Sequence, residues 1–96
     1  MENEKLQHKP QYDKNKNYAN IIRLNHIMLE KGYTIPKLAK ASDIAVSTLR
    51  SKMSGQGHFG IVEQTRLSMV LEIAQQERYE IFVLPYEQLF DYIYNK

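Results

Sequence analysis

The chain has 96 residues, a formal net charge of +2 and no cysteine. A chain of this length forms one compact domain, because its core is too small to divide in two. Without cysteine there is neither a disulfide framework nor a thiolate metal site, and no stretch approaches the roughly 20 apolar residues of a membrane span. We therefore expect a cytoplasmic protein that does not span a membrane.

The charge is unevenly distributed along the chain. Residues 18–60 carry six basic and two acidic side chains, whereas residues 61–96 carry three basic and six acidic ones. A positive first half suits a protein with one face toward phosphates and the other toward solvent or a partner. Ordinary scatter of surface charge accounts for the pattern equally well.

Residues 1–17 are predicted to form a flexible arm. They hold few apolar side chains among Lys, Asn, Gln and Glu, so they cannot bury enough surface to offset the entropy lost on ordering. The folded domain is expected over residues 18–96, where apolar residues recur at helical spacing.

Two helices are expected in the first half of this domain. The first begins after Asn17, a suitable N-cap, and ends at Lys31, because Gly32 readily adopts the left-handed conformation that terminates helices. Thr34 is expected to cap a short second helix from Ile35 to Ala41.

A tight turn and a third helix follow. Asp43 belongs to the few non-glycine residue types that tolerate the left-handed conformation of such a turn. The third helix is expected from Ala45 to Ser54, where Gly55 stops it. Leu49 and Met53, one helical turn apart, face the core.

The rest of the chain predicts two further helices around an ambiguous segment. A fourth helix is expected from Glu63 to Gln76, and a final one from Pro85 to Tyr94. Between them, Tyr79 to Leu84 is rich in β-branched and aromatic residues, which fit a short strand as well as a buried helical turn. We prefer a short extended segment there.

Two short helices joined by a tight turn, the second with a small polar outer face, have the arrangement that places a helix in the major groove of DNA. The run GYTIPKLAKASDIAVSTLRSKMSG also resembles the lambda-repressor and Cro-type (Xre) helix-turn-helix family. This resemblance implies an all-α, lambda-repressor-like domain of five helices. The positions that match at family spacing, without a gap, are Gly32, Leu38, Ala39, Ile44, Ser47, Thr48, Leu49 and Gly55.

Met28 and Met53 stand where members of that family usually carry an Arg and a Glu that form a buried salt bridge. Replacing both partners of such a pair by apolar residues is often neutral or stabilising, whereas losing one costs roughly 3–5 kcal/mol. We expect the two methionines to touch, although they can also be unrelated core residues. Asp43 in place of the turn glycine, and Lys52 in place of an apolar residue, also depart from the family pattern.

The resemblance places base contacts on the outer face of the third helix. Arg50 is the strongest candidate, because a guanidinium can bond O6 and N7 of guanine together. Ser47 and Ser51 can bond bases or phosphates, and Val46 can pack on a thymine methyl group. The plain alternative for Arg50 is a solvated surface side chain.

Contacts to the DNA backbone are expected from the start of the second helix, from polar and basic residues along the second and third helices, and from the loop that follows. These residues are Thr34, Lys37, Lys40, Thr48, Lys52, Ser54 and Gln56. Basic arms of related DNA-binding domains can also enter a groove, and Lys5, Lys9, Lys14 and Lys16 would serve here. The acidic residues among them favour a disordered tail instead.

The function predicted by the resemblance is a transcriptional regulator, a repressor or genetic-switch protein of phage or mobile-element type. It is expected to bind double-stranded DNA as a homodimer on a two-fold operator, since one short helix reads few base pairs. A stripe on the last helix is either the dimer interface or part of the domain core. It consists of Leu89, Phe90, Ile93 and Tyr94.

An alternative function is a protein-interaction module on the same fold, such as an antirepressor or an antitoxin, which suits the modest charge and the seven tyrosines. An enzyme is not expected, and neither a cofactor nor a metal ion. His8, His26 and His58 lack the spacing of metal ligands, and the GQGHFG loop lacks the Lys and Ser or Thr of a phosphate-binding loop.

Overall fold

The computed structural model describes residues 11–94, and helices dominate this part of the chain. The mainly helical class predicted from the sequence is thereby confirmed. Six helices occur within the described residues, one more than expected. They are α1 (Ile21–Glu30), α2 (Ile35–Ser42), α3 (Val46–Met53), α4 (Ile61–Leu71), α5 (Gln75–Phe82) and α6 (Leu84–Tyr94).

Helix α1 begins later than predicted. Its N-cap is Asn20, whose side chain accepts a hydrogen bond from the backbone N–H of Arg23 at 3.1 Å. The predicted cap at Asn17 is wrong because that residue is buried, and its side-chain oxygen instead accepts from the N–H of Ala19. Gly32 follows the helix in the left-handed conformation, with φ of 83°, as expected.

The segment from α2 to α3 follows the prediction closely. The Thr34 hydroxyl accepts from the N–H of Lys37 at 3.3 Å and so caps α2, which runs one residue further than expected. Asp43 takes the left-handed conformation, with φ of 58° and ψ of 45°. Helix α3 then occupies the interior of the predicted range, with Ala45 and Ser54 as its flanking caps.

The predicted fourth helix, Glu63 to Gln76, is wrong at both ends. Helix α4 begins at Ile61, and Glu72 ends it by adopting the left-handed conformation, with φ of 56°. The N–H of Ile73 then reaches back to the carbonyl of Ser68 at 2.8 Å, which satisfies one of the last carbonyls of the helix.

The short extended segment predicted for Tyr79 to Leu84 is also wrong. Residues 79–82 form the end of α5, and α6 begins at Leu84 after a single linking residue. Ile81 and Phe82 are almost fully buried, so these side chains serve the core from a helix rather than from a strand. Strand propensity largely reflects such packing and yields to it here.

One hydrophobic core is shared by the helices. Helix α2 packs against both α3 and α4, while α5 packs against α1, α4 and α6. Met28 and Met53 belong to the same buried cluster as the fully buried leucines. No helix in the described part of the chain is long and apolar enough to cross a bilayer.

Residues 11–17, which we assigned to the arm, lie against the domain. Lys16 and Gln56 form an isolated antiparallel bridge, and the N–H of Asn17 donates to the carbonyl of Gly55 at 2.9 Å. The rest of the predicted arm, including Lys5 and Lys9, lies outside the described residues.

Candidate nucleic-acid interface

Helix α3 has a buried side and an exposed polar ridge. Leu49 is completely buried and Met53 is 8% exposed, so both anchor the helix in the core. With 3.6 residues per turn, the opposite side carries Ser47, Ser51 and Ser54, all of them exposed. This ridge projects small hydrogen-bonding groups away from the domain.

The two flanks of the ridge differ chemically. On one flank lie Arg50 and Val46, both exposed. Within residues 11–94 the Arg50 side chain forms no ion pair, so its five N–H donors remain available to a ligand. On the other flank Thr48 and Lys52 are half-buried. Arg50 is therefore the accessible cation of this helix.

Lys52 is engaged inside the protein. Its ammonium donates to Oε1 of Glu63 at 2.6 Å, and both side chains are only about one-fifth exposed. The same carboxylate oxygen accepts the N–H of Gly60 at 2.9 Å, which fixes the start of α4. Lys52 therefore ties α3 to α4, and a phosphate would have to compete with Glu63 for its ammonium.

Part of the serine ridge is already hydrogen-bonded within the chain. The Ser54 hydroxyl donates to the carbonyl of Ser51 at 2.8 Å, and the Ser51 hydroxyl donates to Oε1 of Gln56 at 3.4 Å. Ala45, the N-cap of α3, provides no side-chain acceptor for the first-turn amides of the helix. These amides give the start of α3 a positive potential that suits an anion.

Helix α2 presents a second group of donors, from its N-cap Thr34 to Lys40 in its last turn. Thr34 uses its hydroxyl oxygen as an acceptor in the cap, so its proton is still free to donate to a phosphate oxygen. Lys37 and Lys40 are exposed and form no ion pair within the described chain. Because α2 packs against α3, these donors belong to the same half of the domain as the serine ridge.

An open groove of about 480 Å³ runs beside α3. One wall comes from α3 and the loop after it, and the other from the N-terminal segment. The lining residues are Lys14, Asn15, Ser47, Thr48, Ser51, Lys52, Gln56 and Gly57. The groove brings together five residues predicted for base or backbone contacts and Lys14 of the predicted arm, but neither Arg50 nor Val46 lines it.

Asn15 and Gly57 were missed in the sequence, and Lys14 was considered only as part of a mobile arm. Their place in the groove depends on backbone pairing between residues 15–17 and 55–57, including a 2.9 Å bond from the N–H of Gly57 to the carbonyl of Asn15. Pairing between segments so far apart in the chain leaves no periodic signal in the sequence.

The predicted dimer stripe lies on α6, which packs against α5 of its own chain. Leu89 and Ile93 are half-buried, whereas Phe90 is 40% exposed and stacks on the ring of Tyr12 at 5.6 Å between centroids. The side chain of Tyr94 lies outside what the structure describes. Part of the stripe thus packs within the domain.

A polar cluster joins α6 to the N-terminal segment. The hydroxyl of Tyr86 accepts the N–H of Tyr18 at 3.1 Å and lies 3.1 Å from Nδ1 of His58. Burial raises the pKa of Tyr86 above its ordinary value, and the bond from the Tyr18 N–H only partly opposes that shift. The phenol therefore keeps its proton to a higher pH than an exposed tyrosine does.

Comparisons of the chain with protein-family models, with curated proteins and with solved structures find no match. Within the described residues, no group of three or more acidic or histidine side chains is arranged to hold a metal ion. Function is accordingly inferred from the surface of α2, α3 and the adjoining groove.

Proposed function

We propose that this protein is a sequence-specific DNA-binding transcriptional regulator, a repressor or genetic-switch protein of the lambda-repressor and Cro type. The observation that carries the proposal is the exposed ridge of α3, with the accessible Arg50 on its flank and Leu49 anchoring the opposite side. A rigidly anchored helix with an exposed polar face is what insertion into a major groove requires.

In this proposal α3 reads the bases. Arg50 bonds a guanine through two N–H groups, a contact that discriminates against other bases by about 1–3 kcal/mol. Ser47 and Ser51 bond base edges or phosphates, and the exposed methyl groups of Val46 pack on a thymine. These contacts specify sequence.

The backbone contacts position the reading helix. Thr34, Lys37 and Lys40 meet one phosphate strand from α2, and Thr48, Ser54 and Gln56 meet the other side of the groove. Lys52, which the sequence predicts to contact a phosphate, instead holds α3 against α4 through its ion pair with Glu63.

The protein acts as a homodimer in this proposal. A recognition helix of eight residues reads few base pairs, so two copies on adjacent half-sites multiply the specificity. The exposed edge of α6 around Phe90 is the surface offered to the second copy.

Selection from a random-sequence duplex library with the full-length protein tests the function. We expect enrichment of an inverted repeat whose half-sites lie about one helical turn apart. A library that stays random after selection at low salt would contradict sequence-specific binding.

Arg50→Ala tests the recognition helix. We expect affinity for the selected duplex to fall by about 1–3 kcal/mol with an unchanged melting temperature, because Arg50 is exposed and makes no ion pair within residues 11–94. Arg23→Ala is the charge-matched control, since Arg23 lies on α1 and pairs with Glu77 of α5. Equal losses of affinity in the two variants would contradict the assignment of α3 as the recognition helix.

A protein-interaction module is the second candidate function, and the apolar surface of α4 favours it. Ile61, Val62 and Met69 are 68%, 54% and 73% exposed. Such side chains suit contact with another protein. A stable partner complex that Met69→Glu disrupts, together with DNA binding that has no sequence preference, would support this function over the first.

A further inference from the structure

The N-terminal segment, residues 11–17, is fastened along the loop that follows α3. The Asn17 N–H donates to the carbonyl of Gly55, and the Gly57 N–H donates to that of Asn15, each at 2.9 Å. The side-chain NH2 of Asn17 also donates to the backbone carbonyl of Lys52 at 3.2 Å, and Asn17 is 95% buried. The segment is thereby held against the end of the reading helix.

Contacts of the His58 side chain hold the same segment at a second point. Its Nε2 lies 2.7 Å from the carbonyl of Lys14, which can only accept, so Nε2 carries a proton. Its Nδ1 lies 3.1 Å from the hydroxyl of Tyr86 on α6. The ring of Tyr12 adds a stacking contact with Phe90. Residues 12–17 are thus tied to both the loop and α6.

This fastening sets Lys14 in the groove beside α3. Lys14 is exposed, and in the described chain it forms no ion pair. The ammonium of Lys16, by contrast, lies over the ring of Tyr18, 5.2 Å from its centroid. The nearest carboxylate along the chain, that of Asp13, accepts the N–H of Asn15 at 2.9 Å.

The groove carries the donors that a phosphodiester needs. Ser47, Thr48 and Ser51 line the α3 wall of the groove, and Asn15 lines the other wall together with Lys14. A lysine ammonium in one groove with serine and threonine hydroxyls suits the anionic oxygens of one phosphate group, and the groove lies beside α3.

We infer that residues 12–17 are a fixed part of the DNA-binding surface, and that Lys14 binds a backbone phosphate in the groove between this segment and α3. The inference rests on the proposed function. Residues 12–17, which the sequence predicts to be part of a flexible arm, then form a second wall of the binding site. This wall positions α3 and does not contact bases.

Binding titrations against salt concentration test the inference. The probes are a short labelled duplex with the selected site and one with that site scrambled, both with the full chain. Lys14→Gln is expected to reduce the magnitude of the slope of log Kobs against log salt by about 0.9, which corresponds to the release of one counterion fewer. It should weaken binding to both duplexes by a similar factor. Lys16→Gln removes the same charge two residues away and should change the slope by less than half as much.

His58→Ala probes the fastening itself. It should reduce the magnitude of the salt slope in the same direction as Lys14→Gln and by no more, because the backbone bonds of Asn15 and Asn17 still hold part of the segment. The double variant should lose no more than Lys14→Gln alone, because His58 acts on DNA binding only through the position of Lys14. Additive losses would overturn the role of His58 in placing Lys14.

The outcomes also separate the two proposals. If Lys14→Gln leaves the salt slope unchanged while Arg50→Ala still lowers affinity for the selected site, the inference fails and the proposed function stands. If the wild-type chain binds neither duplex, both fail.

Discussion

Replacing Lys52 by methionine breaks the ion pair that joins the reading helix to α4. The pair is short, at 2.6 Å, and its side chains are 21% and 22% exposed. Its contribution to stability should fall between that of a surface ion pair, about 0.2–1 kcal/mol, and that of a buried hydrogen bond to a charged group, about 1.5–3 kcal/mol. We expect a coupling energy of about 1 kcal/mol.

Lys52→Met should lower the free energy of unfolding by about 1–2 kcal/mol. Among residues 11–94 Glu63 then keeps the Gly60 N–H as its one partner, while its side chain is about one-fifth exposed. For a domain of this size the melting temperature falls by about 4–8 °C for each kcal/mol. Glu63→Gln is the matched change, since glutamine retains a carbonyl oxygen for the N–H of Gly60.

Urea unfolding of the two single variants and the double variant measures the coupling directly. The double variant should be about 1 kcal/mol more stable than the sum of the single losses predicts. Losses that add within about 0.3 kcal/mol would refute the stabilising pair. In DNA titrations Lys52→Met should leave the salt slope unchanged, whereas Lys37→Met should lower it by about 0.9; equal effects would mean that Lys52 leaves Glu63 to bind phosphate.

Three further predictions concern stability. Leu49→Ala should cost about 2–5 kcal/mol in urea unfolding, because the side chain is completely buried; a loss below about 1 kcal/mol would contradict its place in the core. Thr34→Ala should cost about 1 kcal/mol in the same assay through the lost cap of α2, and an unchanged midpoint would show that the cap contributes nothing. The pKa of Tyr86 is raised above 10.0 in the folded protein, so as pH rises the phenol of the unfolded chain ionises before that of the folded chain. The stabilising effect of the phenol is therefore complete below pH 10.0 and falls as pH rises above it. The stability advantage of wild type over Tyr86→Phe should therefore shrink in unfolding experiments above pH 10.0, and a constant advantage would refute this.

The region from α2 to α3 could be predicted because its signals are local. The Thr34 cap, the left-handed turn at Asp43 and the inward spacing of Leu49 and Met53 each involve residues within a few positions of one another. Caps and helical periodicity act over a single turn of chain, so they can be recognised without knowledge of the rest of the fold.

The last helix was also predicted to within one residue, Pro85 to Tyr94 against Leu84–Tyr94, but the end of α4 and the whole of α5 could not be predicted in the same way. Glu72 ends α4 in a conformation for which its side chain gives no cue, and Ile81 and Phe82 enter the core from a helix despite their preference for strands. Burial against other helices outweighs such weak local preferences.

The mainly helical class, the turn between α2 and α3 and the outward-facing residues of α3 could be predicted from the amino-acid sequence, because each follows from contiguous residues. The pairing of Lys52 with Glu63 and the position of Lys14 beside α3 are visible in the folded structure alone. Both placements join segments that are distant in sequence, and such pairs form only where packing of the core brings their backbones together.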